Sequence, residues 1–288
     1  LPELNNIFFS EIITAAEDLL RSHGYATMIC DCRSDVKREE EAAEFLLHRR
    51  VDGLIMMPTG AEKKVFDRFR KSGRPVVLID RRMENGDCDC VLVDNEGAAQ
   101  NAVKRLMKKG HKKIGMITGP DNVYTARERQ RGYELAIQES SKARSAQQSD
   151  LKGKTDRTDT KLLADGNYTI AGGAKAMRKL YEDNPDMTAV FISNYEMTVG
   201  AMMEINDLGI KVPEQLSVIG FDNLQFARAC NPKLTIVSQP TDGIAREVAR
   251  IMLEHLENGK KESKEFSTEK LQTEIIEGRS VNTLNCLT

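Results

Sequence analysis

At 288 residues, the chain can bury a sizeable core and, at roughly 100–200 residues per domain, can hold two domains. A net charge of −2 leaves no overall basic footprint, which excludes strong binding of a polyanion by this chain alone. No window approaches ~18 uninterrupted apolar residues, and Leu1-Pro2-Glu3-Leu4-Asn5-Asn6 lacks the basic and apolar regions of an export signal, so a cytoplasmic protein without a membrane span is expected.

Apolar runs of strand length alternate with stretches of helical period along almost the whole chain, the pattern of repeated βα units and therefore of an α/β fold with parallel sheets. Leu1-Pro2 reads as the tail of a strand, and the chain as part of a longer polypeptide. Phe9, Ile12, Ile13, Ala16, Leu19 and Leu20 share one helical face that closes at His23-Gly24, and Ala26–Cys30 then reads as a strand. The unit recurs: a helix through Ala42, Phe45 and Leu46, strand Gly53–Met57, a helix through Val65, Phe66 and Phe69, and strand Pro75–Ile79. Strand Cys90–Val93, helix Gly97–Lys109 and strand Lys113–Ile117 are predicted to complete the same sheet.

A second series follows Gly119-Pro120: helix Ala126–Glu139, helix Ala171–Tyr181, strand Ala189–Ile192, helix Glu196–Leu208 and strand Leu216–Gly220. Ser140–Asp159, polar with almost no apolar residues, reads as a solvated loop. Ile244, Val248, Ile251, Met252 and Leu256 form a further helical stripe, and Leu271–Ile276 a last strand. Two doubly wound lobes are implied.

The six cysteines include the Cys-x-Cys pairs Cys30/Cys32 and Cys88/Cys90. Zinc sites use wider Cys-x-x-Cys spacing with a second ligand pair, so free thiols are expected and neither a metal nor a cofactor is. The four histidines, His23, His48, His111 and His255, fall on predicted helices or helix ends without metal-ligand or nucleophile spacing. Gly-x-Gly-x-x-Gly after the first strand, Gly-x-x-x-x-Gly-Lys-Ser/Thr and Gly-x-Ser-x-Gly are all absent, which argues against an enzyme.

The most informative stretch is Val212-Pro-Glu-Gln-Leu-Ser-Val-Ile-Gly-Phe-Asp-Asn223 with Asn231-Pro-Lys-Leu-Thr-Ile-Val-Ser-Gln-Pro240. It sets a carboxylate and amides at strand ends, where open α/β sheets bind ligands. With Asn5–Ile12, Arg50–Ile55, Val77–Arg81, Val93–Gly97, Gly110–Gly115, Thr125–Gly132 and Phe191–Asn194, in that order, it resembles the effector-binding core of the lactose/galactose repressor family of bacterial transcription regulators.

The resemblance implies two periplasmic-binding-protein-like lobes (type I) joined by three crossovers, near Thr118-Gly119, Gln239-Pro240 and Lys270. The N-terminal lobe would comprise residues 1–118 and 241–269, and the C-terminal lobe 119–240 and 270–288. A carbohydrate-like effector would lie in the cleft between them. It further implies a homodimer and operator DNA bound only through a helix-turn-helix headpiece that this sequence does not contain. The alternative is a periplasmic or surface sugar receptor of a transport system.

By the same resemblance, Asn6, Phe8 and Phe9 would contact the ligand from the first lobe, although Asn6 could cap a helix and Phe9 could staple it. Asp80 and Arg81 follow an apolar run and would contact hydroxyls, with an exposed ion pair as the other reading. Asp94 could bind ligand or cap the next helix. From the second lobe, Arg129 offers a planar fork suited to a carboxylate, phosphate or vicinal diol. Tyr168 would close the site, and Asn194, Asp222 and Gln239 would bind ligand at strand ends. The family often has Asn-Asp at the first of these, whereas Asn194 is followed here by Tyr195, a ring able to stack on a sugar face.

Overall fold

The computed structural model describes residues 1–60, 63–83, 88–147, 161–258 and 266–284. In chain order these form α1 (Ile7–Ser22), α2 (Val36–His48), β1 (Leu54–Met56), α3 (Lys63–Lys71), β2 (Val76–Ile79), β3 (Asp89–Val93), α4 (Asn95–Lys108), β4 (Ile114–Thr118) and α5 (Tyr124–Gln147). Then come β5 (Leu162–Asp165), α6 (Ile170–Asp183), β6 (Ala189–Ile192), α7 (Tyr195–Asp207), β7 (Ser217–Phe221), α8 (Leu224–Ala229), β8 (Thr235–Ser238), α9 (Thr241–Asn258), β9 (Thr268–Leu271) and β10 (Glu274–Ile276). They divide into two compact units, Leu1–Val93 with Pro240–Gln272 and Asp94–Gln239 with Thr273–Thr288.

The first unit is built on a parallel sheet of order β1-β2-β3-β9. Val76–Ile79 and Asp89–Val93 are buried at every position, as expected of parallel strands covered on both faces. Along α1 the apolar residues recur at helical spacing, so Phe9, Ile12, Ala16 and Leu20 fall on one buried face. They pack with Ile244, Val248 and Met252 of α9 onto Val77, Ile79, Val91 and Val93. Each large side chain so buried contributes about 1.5–3 kcal/mol relative to exposure.

The second unit holds a six-stranded sheet of order β10-β8-β7-β6-β4-β5, parallel except for β10, which runs antiparallel to β8. One core joins α4 and α5 to the sheet through Leu106, Tyr133, Phe191 and Phe221, and another joins α6 and α7 to it through Met177, Leu180, Met197 and Ile205. The helix pairs approach at glycines: a Cβ on Gly132 would stand 2.1 Å from the Glu96 carbonyl oxygen, and one on Gly200 1.8 Å from that of Ile170.

Four expectations need correction. The strand Lys113–Ile117 does not join the first sheet: β4 pairs with β5 and β6, and α4 packs with α5, so residues 94–118 belong to the second unit. The first passage between units accordingly lies at Val93/Asp94 rather than near Thr118-Gly119. The run Leu271–Ile276 is two strands, because the chain leaves the first sheet after β9 and joins the second at β10. Ser140–Gln147 continues α5 as helix instead of looping, and the rest of that stretch lies outside the described residues.

The fourth correction concerns Ala26–Cys30, which forms no ladder with a neighbouring strand among the described residues. Among the described residues its backbone bond is at its end, where Leu1 N donates to Cys30 O (2.9 Å), and just beyond it Cys32 N donates to Leu1 O (2.8 Å). Two elements had no expectation at all: β5 is short and only half buried, and α8 spans six residues.

Candidate functional site

In the second unit the sheet's carboxyl edge gathers polar side chains from successive strands, because each parallel strand ends there and hands the chain to a loop or helix N-terminus. Asn194 follows β6, Asp222 follows β7, Gln239 follows β8, and Gly119 follows β4. Asp94 and Asn95 stand at the start of α4, and Arg129 projects from α5.

Arg129 is the centre of this group, with only 4% of its surface exposed. Its Nε donates to Asn95 Oδ1 (2.8 Å) and Nη1 to the Ser193 carbonyl (2.6 Å), while the guanidinium carbon lies 3.8 Å from the Phe221 ring centroid. All three neighbours are neutral. A buried cation without a carboxylate partner is costly unless hydrogen bonds and a π face compensate it, and here they do so only in part: Nη2 makes no hydrogen bond among the described residues.

Asp222 Oδ2 accepts from Gln239 Nε2 (2.9 Å), joining the ends of two adjacent strands. Asp222 and Asn223 both adopt left-handed backbone, at φ 59° and 51°, so the chain turns sharply out of β7 and holds the carboxylate at the strand end. The Gln239 Oε1 atom and the Ser193 Oγ are buried without a hydrogen-bond partner among the described residues. Uncompensated polar atoms of this kind are rare in protein interiors and cluster at functional sites.

Asn194 caps α7, its Oδ1 accepting from Met197 N (2.9 Å), and its Nδ2 donates to Glu196 (2.5 Å). Its amide is therefore committed to local bonds that a ligand would have to share or displace. Tyr195 does not stand alone as a stacking surface: its ring packs edge-on against Phe226 at 5.7 Å. Tyr168, at φ 52°, bonds through its hydroxyl to Thr125 Oγ1 (3.2 Å) and covers Gly119, where a Cβ would fall 2.2 Å from the ring. Asp94 caps α4 by accepting from Gly97 N (3.2 Å), the capping reading of that residue.

In the first unit the picture is more divided. Asp80, at φ 64°, is buried directly after β2, and Arg81 Nε lies 3.5 Å from its carboxylate. The pair is not the exposed one that the surface reading required, because the side chains are only 6% and 12% exposed. Arg81 Nη1 also donates to the Pro58 carbonyl (3.4 Å). Asn6 caps α1, accepting from Phe9 N (3.3 Å). Phe9 is buried in the core with Phe8 packed partly against it, the rings 5.5 Å apart, as the stapling reading of Phe9 requires.

Sequence reasoning did not find Asn95, Thr125, Ser193 or Phe221. Asn95 and Phe221 lie beside residues that were singled out, but their value comes from contacts with Arg129 that are 34 and 92 positions away in the chain, and adjacency alone carries no sign of it. Among the described residues no group of three metal-ligating side chains comes together, and Cys30, Cys32, Cys88, Cys90 and Cys230 form no disulfide. Burial pushes the Cys90 thiol up to about 12, so it is an inert, protonated group. No described helix is long and apolar enough to cross a membrane.

Residues 103–281 match the family model described as "Periplasmic binding protein-like domain". The chain is similar to the HTH-type transcriptional repressor CytR of Escherichia coli strain K12, at 30% identity over 257 residues, covering 89% of this chain and 71% of that repressor. Among solved structures it is similar to the transcriptional regulator CelR in complex with cellobiose (26% identity, TM-score 0.79, 95% of this chain and 79% of that one). It also shares its fold with a LacI family transcriptional regulator from Enterococcus faecium with bound ribose (23% identity, TM-score 0.83, 99% and 98% covered).

Proposed function

The chain belongs to the periplasmic-binding-protein-like family, among the effector domains of lactose/galactose-repressor-type regulators, and from that premise we propose that it binds a small polar effector, a sugar or sugar derivative, for a bacterial repressor. The observation that carries this reading is Arg129: a buried guanidinium held by neutral acceptors, with one nitrogen left for a further acceptor, beside the Asp222–Gln239 pair. A donor fork next to a carboxylate and amides is what a polyhydroxylated ligand needs, since each hydroxyl both gives and accepts a hydrogen bond. Asn194 and Tyr168 in the same unit, and Asn6, Phe8, Asp80 and Arg81 in the other, complete the proposed contacts. Asp94 serves chiefly as a cap.

The regulator reading is favoured over a transport receptor by the repressor relatives. Binding without catalysis is the reading favoured by the repressor relatives, and the described histidine–hydroxyl contacts, Ser22–His23 and Thr188–His111, involve none of the residues proposed to hold the ligand. Ligand would act by its differential affinity for one conformation of the protein, signalling to a helix-turn-helix headpiece in a dimer on operator DNA in the cytoplasm.

A thermal-shift screen with D-ribose, cellobiose, sugar phosphates and nucleosides tests the proposal. At least one compound should raise the unfolding midpoint of the wild-type protein and leave Arg129→Ala unshifted. If every stabilising compound shifts both proteins equally, the site is elsewhere.

A further inference from the structure

Glu39 stands where the helix pattern asks for an apolar residue. The buried face of α2 runs Glu39, Ala43, Leu46, the spacing of a helix laid on a core, and Glu39 is only 2% exposed. A buried carboxyl group is tolerated when hydrogen bonds replace those it had with water. Glu39 finds them in the backbone: its Oε2 accepts from Thr59 N and its Oε1 from Gly60 N (3.4 Å). Gly60, at φ 150°, takes a conformation that residues with a side chain rarely adopt, and the turn so formed presents two successive N–H groups to one side chain.

That turn follows β1, which lies parallel to β2 with Met56 beside Leu78. Pro58 and Asp80 therefore leave neighbouring strands at the same edge of the sheet. Arg81 Nη1 donates to the Pro58 carbonyl (3.4 Å), one residue from an N–H that Glu39 holds. Arg81 itself leaves β2 through a γ-turn: its N–H donates to the Ile79 carbonyl (2.6 Å) across Asp80, whose φ of 64° marks the rare, strained form.

A strained turn persists only where its surroundings over-determine it. Here Asp80 N donates to the Val91 carbonyl (3.0 Å), the Cys90 thiol donates to the Arg81 carbonyl (3.8 Å), and the Pro58 carbonyl holds the guanidinium. Arg81 Nη2 makes no hydrogen bond among the described residues, and Arg81 Nε and Thr59 Oγ1 are buried without one. The donors of this corner are thus set in place by backbone contacts without being used up.

We propose that Glu39 is a positioning residue of the effector site: by fixing the Pro58–Gly60 turn it fixes the carbonyl that aims Arg81, and with it the strained turn at Asp80. The inference rests on the reading of Arg81 as an effector contact, and it gives α2, to which no contact is assigned, a part in affinity.

The test is made on the 288-residue chain, first without ligand. Phenylglyoxal modifies accessible guanidinium groups, and peptide mass spectrometry reads each arginine separately. In Glu39→Ala, Arg81 should react at least ~5-fold faster than in wild type. Arg74, whose Nη1 bonds the Leu47 carbonyl near the other end of α2, should keep its wild-type rate. Glu39→Gln, which keeps an acceptor for one of the two N–H groups, should fall between. An unchanged Arg81 rate would overturn the proposal, and so would equal acceleration of Arg74 and Arg81, the mark of a helix loosened as a whole.

Calorimetry with D-ribose and with cellobiose separates this inference from the function it rests on. For a sugar that binds wild type, Glu39→Ala should weaken binding at least ~5-fold, and the loss should vanish when Arg81→Ala is already present. No loss in either background, or an equal loss in both, would overturn the positioning role. Wild type binding neither sugar would count against the effector reading alone, while the arginine rates still decide whether Glu39 holds Arg81.

Discussion

The Arg129 guanidinium stacks on the face of Phe221, 3.8 Å from the ring centroid, while its edge bonds to Asn95 and to the Ser193 carbonyl. Stacking and edge bonding together fix the plane of the fork, leaving one nitrogen directed by geometry instead of by a counter-charge. Arg129→Lys keeps the charge and loses the fork. Unfolding of this variant should be about 1–3 kcal/mol easier, and it should lose at least ~10-fold in affinity for whichever compound stabilises the wild type, read by calorimetry. A lysine variant that binds as tightly as wild type would show that charge alone suffices.

Close helix packing gives a second prediction. A methyl group at residue 132 would meet the Glu96 carbonyl oxygen at 2.1 Å, an atom of helix backbone that cannot step aside. Gly132→Ala is therefore expected to destabilise the second unit by about 1–3 kcal/mol in spite of alanine's better helix propensity. Denaturant melts of the two proteins check the sign. A gain in stability would mean that α4 and α5 can separate at little cost.

Asp89 ties three elements of the first unit. Its Oδ1 accepts from Ser267 N and Oγ (both 2.9 Å) and its Oδ2 pairs with His255 Nε2 (2.8 Å). Burial works against the carboxylate, but the Ser267 and His255 hydrogen bonds outweigh it and hold the group below its ordinary value. Its contribution is thus complete above the unfolded carboxylate range, near 4, and fades as pH falls further. Asp89→Ala should cost about 1–3 kcal/mol at pH 7 and flatten the acid limb of the stability profile. An unaltered acid limb would show that Asp89 does not govern it.

His111 carries the opposite charge type with the same dependence on pH. Burial lowers its pKa, partly offset by its bond to the Asn282 carbonyl, and the neutral ring spans from Thr188 Oγ1 (3.0 Å) to that carbonyl (3.2 Å). Because the folded state holds the proton less tightly than the unfolded chain does, stability is full above the unfolded histidine value, about 6.5, and declines as pH drops below it. His111→Gln should lower the midpoint at pH 8 yet show a smaller fall between pH 7 and pH 5 than wild type. Equal slopes in both proteins would dismiss the residue as the source.

The helices were legible where period and caps agree. Phe9, Ile12, Ala16 and Leu20 mark α1 on one face, and Asn6 and Asp94 cap helices as one reading of each allowed, whereas the cap at Asn194 was not anticipated. Sheet membership was not legible. Ile114–Thr118 and Asp89–Val93 are equally apolar runs, and nothing local in either says which sheet it enters. Leu271–Ile276 hid a change of sheet within six residues for the same reason. Ala26–Cys30 has strand composition, but a strand is defined by its neighbour, and here the only described partner is Leu1. In the site, Arg129, Asp222 and Gln239 could be picked out by type and position, whereas Ser193 and Asn95 matter only through what they touch.

The central claim is that the carboxyl edge of the second sheet holds the effector. Isothermal titration of the most stabilising compound from the screen into wild type, Arg129→Ala and Asp222→Ala tests it most directly. Each substitution should weaken binding by at least ~10-fold, about 1.4 kcal/mol, with both variants still folded by circular dichroism. Wild-type affinity in both variants would contradict the claim.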